Sequence, residues 1–217
     1  MRKYEKIETI FTRDVNGTKK LILNEFRNPT IKFLSFNKWI WTEKIDGTNI
    51  RVYWDGHTVT FGGRTDNASI PAALMNKLNV LFGGEINAQI FEQTFGEKEV
   101  ILFGEGYGKG IQKIGSSYIS DDVGFILFDV LIGDNYQERE WVEATAKAFG
   151  VPAVPIVGRG TLYEAVRYVQ SHPYSIIAEK PAVDMEGIVC RPEIELRDRC
   201  GNRIIVKIKW EDFKDLT

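Results

Sequence analysis

Between Asn49 and Phe61, apolar and polar residues alternate on either side of Asp55-Gly56, the strongest short-range signal for two antiparallel strands joined by a tight turn. Other short runs rich in β-branched and aromatic residues, Val100 to Phe103, Gly124 to Ile132, Gly187 to Cys190 and Arg203 to Trp210, also read as strands. Helical spacing appears in three places. Pro71 to Phe95 carries it with a break at Gly83-Gly84, and Tyr136 to Phe149 carries it up to Gly150, where a left-handed cap suits glycine. A third helix opens at Thr161, with Glu164 three residues on as in a capping box and Pro173 beyond its end. Strands arriving in hairpins, only some separated by helices, predict α+β with mixed, largely antiparallel sheets and flanking helices, not a doubly wound parallel sheet.

The chain has 217 residues, room for one sizeable core or two small lobes. No repeat, low-complexity tract or Pro/Ser-rich linker divides it, so residues 1–217 are expected to form a single catalytic domain. No apolar run approaches the roughly 18 residues that span a bilayer, and the start lacks the apolar core of a signal peptide; a cytoplasmic, membrane-free protein is expected. Cys190 and Cys200 are too few for a disulfide framework and lie far from both histidines, which argues against a zinc site. Formal net charge is −2, so any grip on phosphate must be local. One basic cluster exists, Arg191, Arg197, Arg199, Arg203, Lys207 and Lys209, and its plainest reading is a solvated sheet face.

Thr42-Glu43-Lys44-Ile45-Asp46-Gly47-Thr48-Asn49 puts a lysine in a tight bend before the hairpin. An amine attacks only when neutral, so a nucleophilic lysine needs burial or neighbouring cations. Taken alone, Lys-x-Asp-Gly equally describes an ordinary surface turn. Alternation from Arg203 to Trp210 sends Ile204, Val206, Ile208 and Trp210 to one face and leaves Lys207 and Lys209 on the other, roughly 6 to 7 Å apart, able to flank a polyphosphate. The same pattern fits a half-buried strand with a wet face. Glu105 and Glu186 each stand beside glycine near an apolar strand, where a ligand can approach closely; a nucleotide site needs one acceptor for ribose hydroxyls and one for a hydrated Mg²⁺. Gly104 to Gly110 is not a P-loop, lacking the Gly-Lys-Ser/Thr ending.

In order, these elements resemble the covalent nucleotidyltransferase superfamily of ATP-dependent ligases and mRNA capping enzymes. Lys44-Ile-Asp46-Gly47 resembles the first motif with its nucleophilic lysine, Arg64 the arginine after the hairpin, and Glu105 the third motif. Phe128, preferred over Phe125, resembles the aromatic that stacks on the purine; Glu186-Gly-Ile-Val is similar to the fourth motif and Lys207-Ile-Lys209 to the fifth. Asn49, where DNA ligases and capping enzymes usually carry arginine, resembles the RNA ligase 2-like branch, although Asp46 stands where that branch often has histidine.

The resemblance implies the ATP-dependent ligase/capping-enzyme nucleotidyltransferase (ATP-grasp-like) fold. It also implies ATP as substrate, Mg²⁺ or Mn²⁺ at Glu186, and RNA carrying 5′-phosphate and 3′-hydroxyl ends. Lys44 would take AMP, Lys207 and Lys209 would contact phosphates, Asn49, Arg64 and Glu105 would orient ribose and phosphate, and Asp46 would steer the lysine or bind a metal-bound water. Only seven residues follow Trp210, so no further nucleic-acid-binding domain is expected in the chain, and a partner protein would have to supply one. DNA sealing, cap formation and a non-catalytic RNA-binding module are the rival readings.

Overall fold

The computed structural model describes residues 1–214. Contacts divide the chain into two compact units, one of Met1–Glu5, Asp46–Val154 and Ala178–Pro181, the other of Lys6–Ile45, Pro155–Ile177 and Ala182–Thr217.

The second unit is built on a five-stranded sheet in the order β1-β12-β11-β4-β10. Its members are β1 (Glu8–Thr9), β4 (Trp39–Glu43), β10 (Ile156–Gly160), β11 (Gly187–Pro192) and β12 (Val206–Lys209). All pairings are antiparallel except β1 with β12. A hairpin of β2 (Phe11–Arg13) and β3 (Leu21–Phe26) precedes the short helix α1 (Pro29–Leu34), and α6 (Leu162–Gln170) packs across β10, β11 and β12. The capping box expected at Thr161 and Glu164 starts α6. Leu162, Ala165 and Val169 bury its inner stripe against Trp39, Trp41, Ile188, Cys190, Val206 and Ile208. At about 1.5–3 kcal/mol for each large apolar side chain removed from water, this layer holds the sheet that carries the lysines.

In the first unit the sheet order is β6-β5-β7-β8-β9, every pairing antiparallel. The strands are β5 (Thr48–Trp54), β6 (Val59–Gly62), β7 (Val100–Gly108), β8 (Val123–Ile132) and β9 (Asn135–Tyr136). The Asp55-Gly56 turn joins β5 to β6, and Asp55 Oδ1 accepts hydrogen bonds from the amides of His57 and Thr58. Helices α2 (Ala72–Phe82) and α3 (Gly84–Phe95) meet at the expected break, with the four-residue α4 (Gly115–Tyr118) and then α5 (Arg139–Ala148) further on. Leu74, Leu78, Phe82 and Phe91 from α2 and α3, with Val142, Ala146 and Phe149, cover one sheet face through Ile50, Val52, Val100, Leu102, Phe125 and Leu127. The other face carries a smaller cluster of Ile101, Phe103, Leu131 and Tyr136, with Tyr4, Tyr53 and Phe128 against it.

The α+β, largely antiparallel architecture agrees with the sequence-based expectation, and three segments differ from it. Asn135–Tyr136 is an edge strand and not the first helical turn, because Leu131 and Ile132 are free to pair with it. The strand expected from Arg203 to Trp210 is shorter: Arg203 reaches back to an isolated bridge with Arg197, and Trp210 opens a 3₁₀ turn. Arg191 and Arg203 are buried and not on a wet face, and both nitrogens of the Arg203 fork are taken by Glu195. Among the described residues no helix is long and apolar enough to cross a membrane.

Candidate active site

Three strand ends lie side by side in the second unit. The Lys44 amide donates to the Gly187 carbonyl at 2.9 Å, Gly187 pairs with Lys209, and the Trp210 amide donates to the Glu186 carbonyl at 3.0 Å. This register aligns the end of β4, the start of β11 and the end of β12. Only glycine allows the closeness at position 187, since a Cβ there would stand 2.1 Å from the Ile208 carbonyl oxygen, at a φ of +152°. Lys44 Nζ meets Glu186 Oε2 at 2.5 Å, and Lys209 Nζ meets Oε1 of the same carboxylate at 2.7 Å.

Lys207 shares the half-buried side of β12 with Lys209, as alternation predicts, while Val206 and Ile208 go to the core. Burial pulls the Lys207 ammonium below its ordinary pKa, and the positive charges of Lys209 and Lys44 pull it further. For Lys209 the same burial is outweighed by the hydrogen bond and charge of Glu186, with Glu211 and Asp212 adding, so its pKa is raised. Two neighbouring lysines are thus held in unlike environments, one ion-paired and one not. Lys44, Glu186, Lys207 and Lys209 are brought together here, with the Glu186 carboxylate bridging Lys44 and Lys209.

The remaining expected residues belong to the first unit. Gly47 presses against β7, where a Cβ would fall 2.3 Å from the Gly106 carbonyl oxygen and 2.7 Å from Glu105 Cγ. Tyr118 Oη accepts from the Asp46 amide at 3.3 Å, and Gln112 Nε2 donates to the Gly47 carbonyl at 2.9 Å, so the bend is pinned from both sides. Asn49 is paired with Glu105 across β5 and β7, and directly opposed residues of an antiparallel pair share a face. By the same register it is the face of Phe103, where Phe128 also packs. Phe128 is the extra residue of a bulge in β8, half-buried and edge-on to Tyr4. Phe125 is 1% exposed and its ring fills the space beside Gly104, which leaves it no free surface for a base. Arg64 lies exposed in the loop after β6. Asn49 Oδ1 is buried and, among the described residues, has no hydrogen-bond partner, an unmet acceptor that a bound hydroxyl would satisfy.

A family model described as RNA ligase matches residues 37–209, most of the chain. The chain belongs to the RNA ligase family. Its fold resembles Naegleria gruberi RNA ligase: a mutant solved with ATP and manganese superposes with a TM-score of 0.67 at 19% identity, over 100% of this chain and 58% of that one. The same protein with pyrophosphate gives 0.63 at 21% identity, covering 87% and 54%, and a mutant with AMP and manganese gives 0.63 at 18%, again covering 87% and 54%. The chain therefore spans a little over half the length of these structural relatives.

Two residues escaped the sequence reading. Glu43, next to Lys44, is 2% exposed and accepts from Ser175 Oγ at 2.5 Å and the Ile176 amide at 3.0 Å. Desolvation raises its pKa in spite of those hydrogen bonds. Arg51, 1% exposed in β5, donates to the carbonyls of Gly63 and Met1 and to Asp66, bracketing the loop that carries Arg64. The one available signal was position: a charged residue at an interior site of a strand, where burial demands partners.

Proposed function

We propose that the chain is an ATP-dependent RNA ligase that works through a covalent lysyl-adenylate. Lys44 Nζ attacks the α-phosphorus of ATP; a P–N bond forms, the P–O bond to the β-phosphate breaks, and pyrophosphate leaves. AMP then passes to an RNA 5′-phosphate, and a 3′-hydroxyl displaces it to join the strands. The observation that carries the reading is Lys44 on Glu186, with Lys209 on the same carboxylate and Lys207 alongside. Attack requires the amine to leave this ion pair, so the contact with Glu186 is a resting one. Family membership, and the ATP, AMP and manganese bound in the related Naegleria gruberi structures, support the same assignment.

In this reading Lys207 and Lys209 contact the phosphates as charge develops, and stabilisation comes from groups already in place. Asn49, with its unmet acceptor, and Glu105 take the ribose, Arg64 takes phosphate, Phe128 stacks on adenine, and Asp46 orients the bend. Among the described residues no group of three or more His, Cys, Asp or Glu is gathered for a metal. A hydrated Mg²⁺ or Mn²⁺ would be held by Glu186 together with phosphate oxygens of the bound nucleotide. Such an ion would offset phosphate charge.

Incubation with labelled ATP and Mg²⁺ is expected to label the protein covalently. Lys44→Ala should abolish the label, and GTP should substitute poorly. Stronger labelling by GTP would favour cap formation, and binding of nicked RNA with no adenylate under any condition would favour a non-catalytic module. A panel of RNA and DNA nicks then reads strand preference.

A further inference from the structure

A cavity of about 720 Å³ in the second unit lies between the turn of the β2–β3 hairpin and β12, with Lys207 and Lys209 on its wall. Seven Lys or Arg side chains line it against three acidic ones, in a chain whose net charge is −2. Much of the acid is already engaged: Glu8 is shared by Lys6 and Arg27, and Asp212 holds Arg13 at 2.6 Å. Lys19 and Lys207 have no ion-pair partner among the described residues.

The hairpin presents its cations on a fixed frame. Asp14 accepts from the amides of Asn16 and Thr18, Arg13 Nη1 donates to the Lys19 carbonyl at 3.2 Å, and Lys19 sits at a φ of +58°, a strained conformation for a lysine. The lining contains no aromatic side chain, so nothing there can stack on a base. Its volume falls in the range that encloses a ligand well beyond a single phosphate. A concentrated positive groove without base-reading groups is suited to phosphodiesters, contacts that position a strand and carry no sequence information.

We propose that this groove binds the phosphodiester backbone of the RNA strand, leading it to Lys207 and Lys209. The assignment rests on the ligase reading for the identity of the strand. The other source of the same chemistry is the pyrophosphate released from ATP.

The test uses the full chain and a fluorescent 12-nucleotide RNA without a 5′-phosphate, which binds without accepting AMP. Anisotropy titrations compare wild type with Lys19→Ala/Lys20→Ala from about 50 to 200 mM salt, the range over which phosphate contacts separate affinities. The double variant is expected to bind severalfold more weakly, with a slope of log K against log salt shallower by about 1.4, two contacts at roughly 0.7 each on a single strand. Lys19→Gly, which suits the backbone angle, should keep the fold and flatten the slope by about half as much.

No RNA binding by the wild type, or equal affinity and slope in the variants, overturns the proposal. So does a loss of inorganic pyrophosphate binding in the variants while RNA binding is unchanged. Labelling of the wild type by ATP is measured separately. A protein that labels but shows no groove effect sinks only the groove, whereas one that never labels but loses RNA binding in the variants sinks only the ligase reading.

Discussion

Glu43 is a buried carboxylate one residue before Lys44, and its hydrogen bonds tie Ser175 and Ile176 to the end of β4. Desolvation holds its folded-state pKa above the ordinary 4.5. Between that value and the raised one, the folded chain keeps a proton that the unfolded chain has lost, so this group's contribution to stability falls as pH rises through the window. Glu43→Gln removes the titration while keeping an acceptor. Thermal melts from pH 4.5 to neutrality should show the glutamine variant gaining on the wild type as pH climbs. A difference that stays flat would count against the burial account. Lys44 has no such independence: its neighbours come from β11 and β12, and its chemistry belongs to the group.

At the scale of elements, the decisive fit is β11 against β12. Gly187 is what lets Lys209 and Glu186 stand on adjacent strand ends, since any Cβ at 187 would strike the backbone of Ile208. Gly187→Ala should cost about 1–3 kcal/mol through the strained backbone, with more from the separation of the strands. Gly133→Ala is a control, at a φ of +57° but with nothing within 4 Å of an added Cβ, so it isolates the backbone cost. Melting temperature and ATP labelling should both fall further for the first variant than for the second. Equal losses would mean that the close approach of the strands is unimportant.

Over the whole molecule, the first nine residues serve each unit separately. In the first unit, Tyr4 Oη donates to Asp129 Oδ2 at 2.5 Å and its ring packs on Phe103 and Phe128, while the Met1 carbonyl accepts from buried Arg51. In the second unit, Glu8–Thr9 shields the edge of β12 by parallel pairing. Removal of residues 1–9 is therefore expected to lower the melting temperature by at least about 5 °C, since each kcal/mol is worth about 2–4 °C in a chain of this size. It should also weaken ATP labelling, because an uncovered edge strand loses its order. Unchanged melting and labelling would refute the role given to this segment.

Local pattern carried a good deal of this. Asp55-Gly56 announces its hairpin, the capping box of Thr161 and Glu164 opens α6, and Gly83-Gly84 parts α2 from α3, because each of these depends on residues close together in the chain. Alternation alone put Lys207 and Lys209 on the face of β12 opposite the core residues Val206 and Ile208. The spaced motifs were enough to indicate a ligase resemblance, and Phe128 could be preferred to Phe125 though not separated from it by argument. The parallel seat of β1 beside β12, the bulge that exposes Phe128, the burial of Arg51 and Arg203, and the carboxylate between Lys44 and Lys209 come from the tertiary structure. They join residues up to 198 positions apart, and such pairings follow from which sheet faces must leave water together, a condition that no local run of residues contains.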